Sequence, residues 1–147
     1  VPLSLIYPQA DVPVVMLSMK SNYDPGEHIQ AGQALQVLRE EGVLIIGSGL
    51  SYHNMRGFGR PESMAVSETF EAYLNHAITE PDPQLRRQKL MQWESAPAAR
   101  AAHPLADHLI PLMVVAGAAG ADRGRRLAID KVMNVAMASY RFDAAPA

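Results

Sequence analysis

The chain has 147 residues, 48% of them hydrophobic, 19% charged and 6% aromatic, which fits one globular domain with a sizeable core and excludes disorder or a collagen-like repeat. Thirteen Lys and Arg against fifteen Asp and Glu give a net charge of −2; with no basic block to release phosphate counterions, nucleic acid is excluded as a partner. The absence of cysteine rules out disulfides, thiolate metal sites and cysteine nucleophiles, and makes the reducing cytoplasm the expected location.

The sequence opens on Val1, not Met, and residues 1–7 read as the middle of a packed element, so an N-terminal portion is expected to be missing. After the turn Pro8-Gln9-Ala10-Asp11, residues 12–18 form a β-branched apolar run with Pro13 near its start, which predicts a buried strand. Pro25-Gly26-Glu27 opens a helix predicted to run to about residue 41, with Ile29, Leu35 and Leu38 at helical spacing and Gly42 closing it. Residues 43–46 are wholly apolar and end in Gly47-Ser48-Gly49, which predicts a strand covered on both faces. Strand, helix and strand predict a parallel crossover, hence an α/β fold with a mainly parallel or mixed sheet flanked by helices. Residues 50–61 form a polar loop beyond the end of that strand, where ligands gather in open α/β sheets.

Further along, a helix is predicted from Ser63 or Ser67 through Ile78, and Pro81-Asp82-Pro83 separates it from a second helix over 84–93. A small-residue stretch over 95–102 leads to a third helical segment over 105–119, ended by Gly120, and residues 132–142 alternate as a strand. The longest apolar run, 109–121, falls short of the ~20 residues of a membrane span, so no membrane anchor is expected.

Five histidines are the candidates for general base and for nitrogen ligand. His53 lies in the loop just past the apolar run, where it can be aimed into a cleft or simply sit at the surface. His108, flanked by Leu105, Leu109 and Leu112, is expected on the apolar face of its helix, either as a hydrogen-bonded core residue or as a metal ligand. His103 and His108 stand about 140° apart round a helix, which excludes the i, i+4 pair of H-E-x-x-H zinc sites. His28 is expected to face inward and bond a neighbouring loop, and His76 to cap its helix or face solvent.

Gly47-Ser48-Gly49 lacks the third glycine of a dinucleotide loop, because Tyr52 stands there. A nucleophile elbow on Ser51 is spoiled by His53 in place of its last glycine, which ranks a hydrolase last. Arg56 is a candidate for a bidentate bond to a substrate carboxylate, against the commoner solvated arginine.

Three ordered motifs carry a resemblance: Tyr7-Pro8-x-Ala10-Asp11-x-Pro13-Val14-Val15, Gly47-Ser48-Gly49-x-Ser51-x-His53-Asn54-Met55-Arg56 and Ala102-His103-Pro104-x-x-x-His108-Leu109-x-Pro111-Leu112. Together they resemble the class III extradiol ring-cleavage dioxygenases, in particular the group of DOPA 4,5-dioxygenases. The resemblance implies a non-haem Fe(II) site, sometimes found with Zn(II), that inserts both atoms of dioxygen into a catecholic substrate. It implies that His108 is a metal ligand and that His53 is the acid–base residue or a further ligand, with Asn54 orienting His53; Asn54 and Arg56 are the residues expected at the substrate. The family's other metal-binding histidines belong to an N-terminal half that these residues do not include. Residues 1–147 are therefore expected to be the C-terminal part of a larger catalytic domain, inactive without that half or a second chain and prone to self-association as a homo-oligomer. The alternative is a non-catalytic module of the same fold that binds a small aromatic molecule or a partner subunit.

Overall fold

The computed structural model describes residues 2–143. Six α-helices and one hairpin follow in order: α1 (Pro2–Ile6), α2 (Pro25–Leu35), α3 (Ser63–Ile78), α4 (Pro83–Met91), α5 (Ala99–Ala102), α6 (Ile110–Ala119), β1 (Arg123–Val132) and β2 (Val135–Asp143). Helix and strand are mixed, as an α/β chain requires. The sheet among the described residues is an antiparallel pair of β1 and β2, in place of the predicted parallel crossover.

The helices start where their sequences dictate. Asp24 accepts the Glu27 N–H and Asp82 those of Gln84 and Leu85, each just before a proline at the first helical turn. The spacing of Phe70, Leu74 and Ile78 places all three on one buried face of α3, where Leu90, Trp93, Ile110 and Met113 join them in the core. Helices α2 and α6 meet through glycines. A methyl group on Gly32 would lie 2.0 Å from the Val114 carbonyl oxygen and one on Gly117 2.1 Å from that of Ile29, so only hydrogen at both positions lets the two backbones touch.

Hairpin β1–β2 closes over α3. Its loop, Met133 and Asn134, has positive φ at both positions, the condition for a tight two-residue turn that matches strand twist. Ser67 on α3 accepts the Ala136 N–H, and Arg126 donates to both oxygens of buried Glu71, to which Tyr140 also donates. Burial and that carboxylate push the Tyr140 hydroxyl far above its ordinary range.

Several expectations are corrected. Residues 12–18 and 43–46 join no ladder, and Val14, Val15, Met16, Leu17, Leu44 and Ile46 are exposed, Val15 and Met16 to 93%. A β-branched run favours extended backbone, but a buried strand also needs neighbours to pair with and cover it, and the described residues supply none. The opening segment is a short helix with Leu5 and Ile6 exposed, not the middle of a packed element. The helix expected to reach residue 41 ends as α-helix at Leu35 and tightens into a 3₁₀ turn, Gln36–Arg39. The helix expected over 105–119 starts at Ile110, because Pro111 lacks an N–H and fits only the first turn. Strand β1 was not expected at all. Arg123, Arg125, Arg126, Asp130 and Lys131 mask its apolar pattern, and all but Gly124 of it is exposed. No helix among the described residues is long and apolar enough to cross a membrane.

Candidate metal centre

Three consecutive residues after the glycines are each held by a different element. The Ser51 hydroxyl accepts the Ala138 N–H of β2, the buried Tyr52 ring packs edge-on against Phe58, and the His53 N–H bonds the Ala102 carbonyl at the end of α5. The His53 imidazole is thereby left at the rim. Ser51 is buried in a structural bond, which removes it as a nucleophile.

His108 sits in a turn over residues 107–109, made by the Leu109 and Ile110 N–H groups on the Ala106 carbonyl, just before α6. It is not on the apolar face of a helix, and its side chain is 42% exposed. The turn brings it back over the loop. The two imidazoles stack with centroids 3.4 Å apart and planes 22° apart.

Asp107, which the sequence reading passed over, lies against both. Its Oδ2 is 3.0 Å from His108 Nδ1 and its Oδ1 is 3.7 Å from His53 Nδ1. Donor atoms of His53, Asp107 and His108 all lie within 4.8 Å of one another, the one such group among the described residues. The signal was present: a carboxylate beside a candidate histidine ligand is a recurrent partner of metal-bound imidazole.

Asn54 donates its amide to the Ala101 carbonyl and accepts the Arg56 N–H, so it ties the loop to α5. Arg56 is exposed. The glycines of 47–49 have a packing role: a methyl group on Gly47 would lie 2.7 Å from the Pro111 carbonyl oxygen, and one on Gly49 2.1 Å from that of His108. His28 is buried as expected, accepting the Lys20 N–H, and His76 lies beside Lys89 at a helix end.

Behind the site, His103 is fully buried against Phe70 and Trp93, and neither of its ring nitrogens has a hydrogen-bond partner. Burial pushes its pKa down to about 4, the nearby Ser51 main chain opposing this in part. The unfolded chain then binds this proton more readily than the folded one. The stabilisation is complete above the unfolded value near 6.5 and is lost as pH falls from there to about 4. The loss amounts to about 3 kcal/mol. Urea midpoints across this window should fall more steeply for the native protein than for His103→Leu; parallel curves would mean that His103 is not the group responsible.

The family model described as "Catalytic LigB subunit of aromatic ring-opening dioxygenase" matches residues 1–142. The dioxygenase tasH of Hapsidospora irregularis is 34% identical, over 95% of this chain and 47% of its own length. The 4,5-DOPA dioxygenase extradiol of Beta vulgaris is 42% identical, over 82% of this chain and 44% of its own. A crystal structure of an uncharacterized Escherichia coli K12 protein superposes with a TM-score of 0.82 at 26% identity, covering 94% of this chain and 58% of that one. The chain spans about half the length of the named relatives it matches. With a family match over nearly all of its residues and the two motif histidines stacked at one site, the chain belongs to the LigB family of extradiol aromatic ring-opening dioxygenases.

Proposed function

We propose that residues 1–147 are the C-terminal part of an extradiol dioxygenase catalytic domain that opens the ring of a catecholic substrate with dioxygen at a non-haem Fe(II) site, with Zn(II) as the metal found on isolation. One observation carries this reading: His53, Asp107 and His108 converge, and Asp107 Oδ1 and His108 Nδ1 are buried without a hydrogen-bond partner. Buried polar atoms are normally satisfied, and imidazole nitrogen with carboxylate oxygen suits ferrous iron or zinc. The donor chemistry of these residues therefore fits the metal.

His108 and His53 would hold it, and ferrous iron, when bound, brings a catechol and dioxygen together for electron transfer. His53, with its ring 19% exposed, accepts at a ring nitrogen the proton that a catechol hydroxyl gives up, and the Asp107 carboxylate stabilises the resulting imidazolium. Asn54 keeps the loop on α5 so that this nitrogen stays in place. Arg56 pairs with a carboxylate on the substrate. One ring C–C bond beside the hydroxyls breaks, and both oxygen atoms of dioxygen enter the product.

The reaction needs an N-terminal half, supplied by further chain or by a second polypeptide. In support, the chain spans about half of its named relatives, and the apolar residues over 12–18 and 43–46 stand exposed. Left uncovered, such side chains drive self-association. The same exposed residues favour the second reading, a non-catalytic module that takes a small aromatic molecule or a partner subunit. Oxygen uptake decides between them. The chain combined with an N-terminal half and loaded with ferrous iron should consume dioxygen and a catechol in equal amounts and release a ring-opened product. An assembly that holds iron and binds the catechol without oxygen uptake would overturn the dioxygenase reading and leave the module.

A further inference from the structure

Arg86 lies on α4 with only 2% of its surface exposed, and a guanidinium buried so deeply is normally paired with a carboxylate. Its bonds go instead to main-chain carbonyls, from Nη1 to Glu80 at 2.9 Å and from Nη2 to Gly120 at 2.6 Å, and it has no ion pair among the described residues. The carboxylates whose charge reaches it are committed elsewhere: Glu80 to Lys89, Asp122 to Arg39, and Asp82 to the N–H groups of Gln84 and Leu85 that start α4. A guanidinium carries five N–H groups, so three remain without an acceptor among the described residues.

Arg86 lines a cavity of ≈ 260 Å³ where α2, α4 and the last turn of α6 meet. The floor is aliphatic, with Ile29, Leu90 and Ala116 all buried, and the rim is polar, with Gln33 exposed and Arg87 half-buried. Arg87 likewise has no ion pair among the described residues. Two guanidinium groups without an anion of their own therefore share one concave site. Its volume lies below the ~300–1,000 Å³ of pockets for drug-sized ligands, which restricts the occupant to a small molecule. The site is separate from the metal centre: His108 precedes the first residue of α6, the cavity adjoins its last turn, and the helix between them is about 15 Å long.

We infer that this cavity binds a small organic monocarboxylate with a compact aliphatic body. The carboxylate supplies the acceptors that Arg86 lacks, in a buried place where an unbonded charged donor costs most, and the planar fork of the guanidinium matches its two oxygens. Arg87 adds a second positive charge at the rim. The aliphatic body lies on Ile29, Leu90 and Ala116, a surface that a bare inorganic anion would leave uncovered. The site is independent of the ring-opening reading and uses none of its residues.

The test is titration of the full metal-free chain, isotope-labelled in arginine, with isovalerate, read by the Nε–H resonances of Arg86 and Arg87 and by calorimetry, with circular dichroism as the control for folding. One equivalent should bind saturably and move both resonances. Arg87→Gln should weaken binding at least about tenfold, the loss of one charged hydrogen-bond donor. Ala121→Phe, at an exposed position that lines the cavity, should block it. Arg86→Met should abolish binding; it also loses the ties to Glu80 and Gly120, so if it unfolds the two rim variants decide. Isovaleramide, with the same shape and no charge, and inorganic phosphate, with charge and no aliphatic body, should each bind at least about tenfold more weakly than isovalerate, and equal binding of either overturns the assigned ligand class. His108→Ala should bind isovalerate as the native chain does; loss of binding there would put the acid at the metal centre and overturn the site. No saturable binding by the native chain, or native affinity in both Arg87→Gln and Ala121→Phe, would reduce Arg86 to a tie between the chain ends of α3 and α6 and overturn the inference.

Discussion

Replacing His108 with alanine is expected to abolish iron retention and ferrous-dependent oxygen uptake in the assembled enzyme while leaving its thermal unfolding nearly unchanged. The two effects separate because of where the residue sits. Its main chain is what the fold uses: the Leu50 N–H donates to the His108 carbonyl, and that bond survives the substitution. Its side chain is 42% exposed and touches the His53 ring and the Asp107 carboxylate. Truncation leaves no sealed cavity, so the stability change should stay within about 0.5 kcal/mol. The lost imidazole is a fixed donor, and a usable catalytic site wants about three protein ligands. Iron content measured after desalting, beside oxygen consumption, checks both halves; full iron occupancy in the variant would remove His108 from the ligand set.

The elements that could be read from sequence are those whose burial is decided locally. In α3, Phe70, Leu74 and Ile78 recur at helical spacing and all three are buried. The runs over 12–18 and 43–46 show the opposite case. Their β-branched composition points to strands, but ladder bonds and coverage come from neighbours, and here Val15 and Leu44 face outward. Strand β1 was hidden for a related reason: its charged residues are tolerated because one face of the hairpin meets solvent, while Arg126 is held by the buried Glu71 of α3.

Much of the site was visible as well. His53 stood out in the loop past an apolar run and His108 among the leucines of its segment, both within the motifs that carry the family resemblance, and the structure stacks them. What misled was Pro111, which bars a helix from running through His108 and so changes the residue's surroundings from an apolar face to a half-open turn. Asp107 was missed because side-chain spacing was weighed on a helix that does not exist at that point. His103 received no role in the sequence, and its complete burial follows from contacts with Phe70 and Trp93, residues far away along the chain.

Gly49→Ala should damage the metal site without touching a donor. A methyl group there would stand 2.1 Å from the His108 carbonyl oxygen and 3.1 Å from its carbon, both main-chain atoms that cannot swing aside. The loop and the turn before α6 must move apart, which breaks the 3.0 Å bond from the Leu50 N–H to the His108 carbonyl. Since His53 rides on the loop and His108 on the turn, the separation opens the gap between the two stacked imidazoles. Overpacking of this kind costs about 1–3 kcal/mol, so the urea midpoint should drop. Affinity for Co(II) as a probe of the metal site should fall at least tenfold in the same variant. Gly42→Ala provides the contrast, because nothing lies within 4 Å of its added methyl group and its strain comes from a φ of +82° alone. That variant should lose some stability and keep its cobalt affinity. Native cobalt affinity in a destabilised Gly49→Ala would show that the close approach of these backbones holds the fold and not the spacing of the donors.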